Sequence, residues 1–334
     1  MSSGFDIVGF TKAEISDAER LYISNWVQSG HHGQMGWYAK ENSMEIRLHL
    51  KHLGFIPKSV ICLGLLYRSE KSEDLLASMN PKVSRYALGE DYHSVLRERA
   101  KPLLKYLKQN YPEFHFRQSV DSLPIPEKIF AKQAGIGWMG KNTNLIHPEI
   151  GSYFFISTIL TDYEWEIPLN ISTDHCGSCR ACLDACPTGA LFAEYQINAS
   201  LCISQHNIEN ENDDIPDDIS LNGWLYGCDI CQEVCPWNQI KAKRNQIESR
   251  VSEFQPRGIF AEENLNLSKL LNSEEFDNIF QNTSIQRIGV KKWNRNLAKL
   301  NNENQKSKNL LKKQKDIAKD SNLEQDLDNN LQIQ

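Results

Sequence analysis

Eight of the nine cysteines in the 334-residue sequence lie between positions 176 and 235. The first four have the spacing C-x2-C-x2-C-x3-C and are followed directly by a proline. Bacterial ferredoxins bind 4Fe-4S clusters with this spacing, and the fourth cysteine of such a run ligates the other cluster when two are present. The pattern therefore predicts a second run of cysteines. The four residues of the first run are Cys176, Cys179, Cys182 and Cys186.

The second run ends at Pro236 and lacks one cysteine at the usual spacing, for which Cys202 stands upstream as the replacement. We predict that each cluster takes ligands from both runs. Cluster one is assigned Cys176, Cys179, Cys182 and Cys235, and cluster two is assigned Cys186, Cys202, Cys228 and Cys231.

Thiolates also bind zinc, so two zinc sites are the alternative interpretation of these cysteines. Zinc sites do not need interlocked runs that end in proline, and the spacing therefore favours iron-sulfur clusters. Cys62, the ninth cysteine, lies in an apolar run and is expected to be a small buried hydrophobic residue. Two adjacent clusters transfer single electrons, so the N-terminal region must supply their acceptor.

The N-terminal region has its own polar motifs. Asp121 lies just before Pro124 and Pro126, where it could face a ligand or serve as a helix cap or turn residue. The segment AGIGWMGKN at 134–142 has three glycines that permit left-handed turns and a close approach of a ligand to the backbone. These glycines follow a helix and not a strand, so a dinucleotide site is not expected. The segment SRYALGEDYH at 84–93 lines a pocket for a flat or anionic ligand or forms a solvated loop.

The elements that position these motifs follow from the spacing of apolar residues. Residues 14–29 predict a helix that Gly30 ends, and the short apolar runs 59–67 and 153–160 predict buried strands. Helical patterns at 92–109 and 126–134 alternate with those strands. This alternation predicts an α/β (α+β) domain over residues 1–165.

Three further units follow that domain. Residues 166–245 are predicted to form a ferredoxin-like domain with two 4Fe-4S clusters, and residues 246–300 a C-terminal helical segment. Residues 301–334 are rich in Asn, Gln, Lys, Asp and Glu and contain no aromatic residue. Such a tail cannot bury enough apolar surface to offset its ordering entropy. We expect some helix around Leu310 and Leu311 and otherwise disorder.

The charge and the absence of apolar segments limit the location and the partners. The sequence has no signal peptide pattern and no apolar run long enough to span a membrane, so a cytoplasmic protein with reduced thiols is expected. Its formal net charge of -6 does not suggest a nucleic-acid-binding domain, which is usually basic. A local basic row could still contact phosphate or could be a solvated surface. This row is Arg287, Lys291, Lys292 and Arg295.

Seven segments taken in order resemble the epoxyqueuosine reductases, over residues 1 to about 296. The segments are HHGQMGW, RYALGEDYH, VDSLPIPEK, AGIGWMGKN, GSYFFISTILTD, CGSCRACLDACPTGA and GCDICQEVCPWN. The resemblance implies that the N-terminal domain binds cobalamin and that the two clusters pass electrons to its cobalt. It implies the last step of queuosine synthesis, the reduction of epoxyqueuosine to queuosine at the wobble position of tRNA.

The resemblance also implies roles for single residues. Asp121 corresponds to the family's catalytic acid in the cofactor site, which protonates the oxygen that leaves as water. Trp138 is one surface on which the wobble base could stack. The family commonly follows Arg295-Asn296 with further helices, whereas this chain enters its polar tail, which puts any tRNA contact of those helices in doubt. Cobalamin contacts are expected at Tyr86, Lys141, Asn142, Ser204 and Gln205 as well as at Asp121.

The expected partners are a tRNA that carries epoxyqueuosine in its anticodon loop and an external electron donor of the flavodoxin or ferredoxin type, with the protein itself a monomer. Three other readings compete. The chain could be another corrinoid-dependent reductase such as a reductive dehalogenase, although it has no twin-arginine export signal. It could be a ferredoxin-like electron-transfer protein that binds no corrinoid, or a nucleic-acid-binding protein whose clusters are structural.

Overall fold

A computed structural model describes residues 4–166, 172–239, 248–262 and 265–331, with side chains described up to residue 310. Its main sheet has four strands in the order β1-β2-β7-β4, and every pairing in it is antiparallel. The two central strands are apolar and almost wholly buried, which explains their continuous hydrophobic runs. The strands of this sheet are β1 (Ile7–Lys12), β2 (Ser59–Leu66), β4 (Phe116–Ser119) and β7 (Phe154–Thr161).

The remaining strands of the described residues form two small sheets of two strands each. One pairs β3 with β8 in parallel, and the other is a β5–β6 hairpin. These strands are β3 (Lys82–Val83), β5 (Trp138–Met139), β6 (Leu145–Ile146) and β8 (Trp224–Tyr226). The helices are α1 (Asp17–Gln28), α2 (Glu41–His49), α3 (Glu70–Ser78), α4 (Tyr92–Asn110), α5 (Glu127–Gln133), α6 (Ala181–Asp184), α7 (Ile230–Glu233), α8 (Ser273–Phe280) and α9 (Gly289–Leu331).

The predicted helices and strands of the N-terminal region are confirmed within one to three residues at their ends. Ser16 caps α1 in a capping box with Glu19, which fixes the start of that helix. Cys62 lies in the centre of β2 and is fully buried, as predicted. Burial raises the pKa of its thiol. The alternation of helices and strands does not produce a parallel sheet, so the domain is of the α+β type rather than α/β.

A second core joins the segment around β3 to the C-terminal part of the chain. Val83 and Leu88 pack in one cluster with Trp224, Phe280 and Trp293. The parallel pairing of β3 with β8 adds backbone hydrogen bonds to this contact. Residues 70–88 therefore share their core with residues 203–300, and the predicted boundary at residues 245–246 lies outside the described residues.

The final helix, α9, has 43 residues and continues into the polar tail. Its first turns are anchored by buried Trp293, Leu297 and Leu300. Leu310 is 59% exposed, and most described side chains beyond residue 300 are exposed as well. The backbone around Leu310 and Leu311 is helical, as expected, and the helix extends to Leu331. The composition of this tail predicts that few of its side chains pack against the protein. Its Lys, Leu and Gln residues still favour a helical backbone, even where the helix packs against nothing.

Among the described residues, none of the helices combines the length and the hydropathy that a membrane span requires.

Candidate redox site

Four thiols from the two cysteine runs line one cavity near the surface, together with Lys141, Asn142, His175 and Trp237. We call them the outer thiols. Burial raises the pKa of Cys182 to about 11, and neighbouring Cys235 and Cys176 add to the shift. Burial raises the pKa of Cys235 as well, and Cys176 and Cys179 add to that rise. Cys179 is exposed to solvent. The outer thiols are Cys176, Cys179, Cys182 and Cys235.

The other four thiols form a second group, which we call the inner thiols. Burial raises the pKa of the Cys231 thiol, and three neighbouring cysteines raise it further. The pKa values of Cys202 and Cys228 are raised in the same way, with burial as the first cause. The inner thiols are Cys186, Cys202, Cys228 and Cys231. The structure thus brings together the same two sets of four that the sequence assigned to the two clusters.

Each set offers a cluster four soft sulfur donors, which is the donor set that 4Fe-4S clusters use. Short helices α6 and α7 carry the middle of each run, so the cysteines lie on tight turns. In the described part of the chain, no group of three or more His, Cys, Asp and Glu side chains is placed to hold a single metal ion.

Trp138 lies against the outer thiols and not on the protein surface. Its side chain is 1% exposed, and its indole Nε1 donates a hydrogen bond to Cys176 Sγ at 3.4 Å. The rings of His175 and Trp237 pack edge-to-face on it, each at 4.9 Å between ring centroids. The expectation that a tRNA base stacks on Trp138 is wrong, because no face of the indole is open to a ligand.

Lys141 and Asn142 also support the cysteine loops. Lys141 is 4% exposed, and its ammonium donates to Gly177 O at 2.6 Å and to Glu194 Oε1 at 2.8 Å. Asn142 Nδ2 donates to the carbonyl oxygen of Cys231 at 3.2 Å. Lys141 therefore fixes the outer loop, and Asn142 fixes the inner loop. The glycines before them serve packing, since a Cβ on Gly137 would lie 2.2 Å from Ile146 O.

Ser204 and Gln205 lie beside the inner thiols. The Ser204 hydroxyl and the backbone amides of both residues hydrogen-bond to the Cys202 thiol and hold its pKa down against burial. Gln205 is 4% exposed, and neither polar atom of its amide has a partner in the described part of the structure. A buried amide without partners is costly. This orphaned amide fits cobalamin, whose corrin edge carries amide groups that both donate and accept hydrogen bonds.

Asp121 stands in a short turn after β4, and its backbone has a φ of 49°. The helix cap of α5 is Pro126, so Asp121 does not cap that helix. Its side chain is exposed and accepts a hydrogen bond from the Tyr92 hydroxyl at 2.5 Å. The ring of Tyr86 lies 6.2 Å from that of Tyr92, so this predicted cofactor residue belongs to the same face.

Two further charged residues surround Asp121 that the sequence reading did not single out. Glu127 Oε2 accepts a hydrogen bond from the Asp121 amide at 3.4 Å, and its Oε1 is buried without a partner. Burial, followed by the charge of Asp121, raises the pKa of Glu127 to about 8. Burial lowers the pKa of the Lys128 ammonium, and the charges of Asp121 and Cys231 oppose that shift. Lys128 Nζ donates a hydrogen bond to Thr143 O at 3.1 Å, next to Asn144, which contacts the inner thiol Cys231. The only feature of the sequence that pointed to Glu127 and Lys128 was their position in the segment VDSLPIPEK.

A buried ion-pair network ties the 84–93 segment to the inner thiols, and sequence reasoning missed it as well. Arg85 Nη1 donates to Asp229 Oδ2 at 3.0 Å, and Arg85 also pairs with Glu73 and Glu233. Ser84 Oγ donates to Asp229 Oδ1 at 2.9 Å. Asp229 is 1% exposed and stands between two inner cysteines in the sequence. No local pattern predicts this pairing, because the partners are far apart in the chain.

The basic row, which lies on the first turns of α9 and the turn before it, is paired within the protein. Arg287, Lys291 and Lys292 form ion pairs with Glu209, Asp213 and Glu211. Arg295 donates to the carbonyl oxygens of His206, Asn210 and Asn212. The following residue, Asn296, donates to Asn207 O at 2.7 Å and to Leu225 O at 3.1 Å. This row holds the segment after Cys202 in place. Because three of its four charges are paired with carboxylates, the row would attract the phosphates of a nucleic acid less strongly.

Comparison with known proteins places these features in one family. The family described as "4Fe-4S double cluster binding domain" matches residues 175–238, and the family described as "Epoxyqueuosine reductase QueG, DUF1730" matches residues 47–122. An epoxyqueuosine reductase of Leadbetterella byssophila is 37% identical over 303 residues, which cover 88% of this chain and 93% of the relative.

Solved structures agree with the sequence comparison. A crystal structure of epoxyqueuosine reductase with an epoxyqueuosine-modified tRNA-Tyr stem loop has a TM-score of 0.76 and 31% identity. The similarity covers 90% of this chain and 78% of that one. An epoxyqueuosine reductase from Bacillus subtilis, whose aspartate-bearing catalytic loop is swung out of the active site, has a TM-score of 0.74 and 30% identity at the same coverage.

Proposed function

This chain belongs to the epoxyqueuosine reductase family, and from that membership we propose that it reduces epoxyqueuosine in tRNA to queuosine. One observation of the structure carries the proposal. An exposed carboxyl group, Asp121, lies in the turn before α5, and Lys128 of that helix donates a hydrogen bond to Thr143 O at 3.1 Å, next to Asn144, whose Nδ2 lies 4.0 Å from the inner thiol Cys231. Electron supply and proton supply therefore meet at one open face of the fold.

We assign the outer thiols to cluster one and the inner thiols to cluster two. The outer group has an exposed cysteine, Cys179, and is the side at which electrons enter. The inner group lies toward Asp121 and delivers them. The donor is an external electron-transfer protein of the flavodoxin or ferredoxin type, which acts in the cytoplasm on a monomeric enzyme.

Cobalamin bound at this face would supply the redox-active cobalt for reduction of the epoxide. Tyr86, Ser204 and Gln205 would hold it, because Tyr86 lies next to Tyr92, Ser204 contacts the inner thiol Cys202, and the Gln205 amide has no partner in the described part of the structure. Lys141 and Asn142 fall in the same predicted set, but their side-chain contacts are to the cysteine loops. We therefore assign these two to positioning the clusters, where they influence the cofactor only indirectly.

Asp121 donates a proton to the epoxide oxygen. Conversion of the epoxide to the alkene consumes two electrons and two protons and releases one water molecule. The carboxyl group must lie within hydrogen-bond reach of the leaving oxygen, and general acid catalysis of this kind contributes roughly 10²–10⁴-fold to the rate. The hydroxyl of Tyr92 fixes the carboxyl by its 2.5 Å hydrogen bond.

The loop that carries Asp121 must also be held in place. The relative from Bacillus subtilis has its aspartate-bearing catalytic loop swung out of the active site. In this chain the Asp121 amide contacts Glu127 and its carboxylate contacts Tyr92. We propose that these two contacts hold the loop in the inward position.

The decisive experiment uses anaerobically purified protein with both clusters, cobalamin and a chemical reductant. Mass spectrometry of an anticodon stem loop that carries epoxyqueuosine measures its conversion to queuosine. We expect conversion by the wild type and a loss of roughly 10²–10⁴-fold in Asp121→Asn, with iron content and cobalamin binding unchanged. Failure of the wild type to bind corrinoid or to convert the RNA would instead support a simple electron carrier.

A further inference from the structure

We infer that Trp138 raises the reduction potential of the outer cluster through an N–H hydrogen bond to the sulfur of Cys176. The inference deepens the proposed function and rests on its assignment of Cys176 as a ligand of that cluster. It starts from the contact between Trp138 Nε1 and Cys176 Sγ, whose length of 3.4 Å is within the range for a sulfur acceptor.

The hydrogen bond is built into the fold. Trp138 opens strand β5, which pairs with β6 through Trp138 and Ile146. The close approach at Gly137 fixes the distance between these two strands. The indole is 1% exposed and packs against His175 and Trp237, so it has no room for another orientation.

The chemistry is electrostatic. On reduction a 4Fe-4S cluster in the 2+ state gains one electron and becomes 1+, with no proton transferred and no bond made or broken. Part of the added negative charge falls on the ligating sulfurs. An N–H dipole directed at a sulfur stabilises that charge, and hydrogen bonds to the sulfurs are among the factors that set cluster potentials. The backbone amide of Lys141 is a second donor to Cys176.

The inner thiols have side-chain contacts of their own. Asn144 Nδ2 lies 4.0 Å from Cys231 Sγ, at the limit for a hydrogen bond to sulfur, and the hydroxyls of Thr188 and Ser204 contact Cys186 and Cys202. Among these donors only the Trp138 indole combines a distance of 3.4 Å with a side chain that is 1% exposed. With its potential raised in this way, the outer cluster accepts an electron from a weaker reductant than it otherwise requires.

The chain provides a matched control for replacing Trp138. Trp293 is also 1% exposed, but its Nε1 has no hydrogen-bond partner in the described structure, and it packs in a different core. Trp138→Phe and Trp293→Phe remove the same atoms from two buried indoles. Only the first removes a donor to a thiol.

The test is an anaerobic redox titration of the intact protein with dithionite, monitored by EPR. We expect Trp138→Phe to move the midpoint potential of one cluster to a more negative value. Asn144→Leu should move that of the other cluster by less, and Trp293→Phe should move neither. Unchanged midpoints in a fully loaded Trp138→Phe protein, or an equal shift in Trp293→Phe, would overturn the inference.

Two further measurements separate this inference from the proposed function. Cys176→Ala should lose half of the iron, and full retention of iron would refute the cluster assignment itself. If Trp138→Phe fails to hold its clusters, the wild type still decides the question. Protein labelled with ¹⁵N in the tryptophan indoles should show a ¹⁵N coupling to a reduced cluster in pulsed EPR, and its absence would overturn the hydrogen bond.

Discussion

The two groups of thiols have the same donors but different surroundings. The outer thiols include an exposed cysteine and are bordered by aromatic rings and by Lys141. The inner thiols have Ser204 and the buried Asp229 next to them in the chain, and Asn142 and Asn144 of a distant segment contact Cys231. The difference teaches that two groups of identical donors, each drawn from both cysteine runs, can have different environments, because the remainder of the fold decides what each group contacts.

The largest expected effect comes from removing one ligand of each group. Cys231→Ala should lose half of the iron and all conversion of epoxyqueuosine, even with a strong chemical reductant, because electrons then stop short of the reaction site. Cys179→Ala should lose the same share of iron but should recover measurable conversion with dithionite. Iron analysis and the stem-loop assay check both. Equal rescue of the two variants would erase the distinction between outer and inner groups.

The next effect concerns the buried ion pairs that enclose the inner thiols. Arg85→Met leaves Asp229 buried without its cation, which should lower the free energy of unfolding by about 3–5 kcal/mol, whereas Glu73 keeps its pair with Arg68. Urea unfolding of the anaerobic protein measures the loss. Arg99→Met removes a more exposed pair with Glu253 and should cost less than about 1 kcal/mol. Similar losses in both variants would show that the Arg85 network contributes no more to the free energy of unfolding than an ordinary surface ion pair.

A smaller effect is expected from the hydroxyl that fixes the catalytic acid. Tyr92→Phe removes one hydrogen bond to Asp121 and keeps the ring that stacks on Phe155. Conversion should fall roughly tenfold, since a hydrogen bond to a charged group contributes about 1.5 kcal/mol at the lower end of its range, where the exposure of Asp121 places this one. Single-turnover assays at saturating RNA measure the change. A loss as large as that of Asp121→Asn would give Tyr92 a chemical role of its own.

The last effect is on the pH dependence of stability. The raised pKa of Glu127 means that the folded protein keeps a proton that the unfolded chain loses near its ordinary value of 4.5. The contribution of Glu127 to stability is therefore greatest at low pH and declines as the pH rises from about 4.5 toward about 8.

Glu127→Gln should remove this decline, so that its melting temperature changes less than that of the wild type between pH 5.5 and pH 8. Glu98→Gln, at an exposed position of α4, is the control and should behave like the wild type. A slope that is the same in all three proteins would mean that Glu127 is ionised throughout.

Local patterns predicted much of this molecule. The apolar runs located β2 and β7, and the helical spacing of apolar residues before Gly30 located α1, because such elements depend on neighbouring residues. The grouping of thiols followed from the spacing of two runs. The antiparallel order of the sheet was not predicted, since pairing depends on how distant strands meet.

The supporting contacts of the site were missed for the same reason. Arg85 meets Asp229 across 144 positions of sequence, and Trp138 meets Cys176 across 38. The residue type alone does not predict the partner in either contact. Trp138 seemed a base-stacking surface because an aromatic residue in a glycine-rich segment carries no sign of its burial. Glu127 resembled an ordinary first-turn acid of a helix, and only the fold shows it buried next to Asp121.

The backbone of Asp121 has a consequence for any library of variants at this position. Its φ of 49° lies in the left-handed region, which glycine, asparagine and aspartate enter at the lowest cost. Glutamate would retain the acid but strain the turn, so a screen for altered chemistry should recover Asn and Gly far more often than Glu. Mutational tolerance here is thus set by the main chain before the chemistry of the side chain is tested.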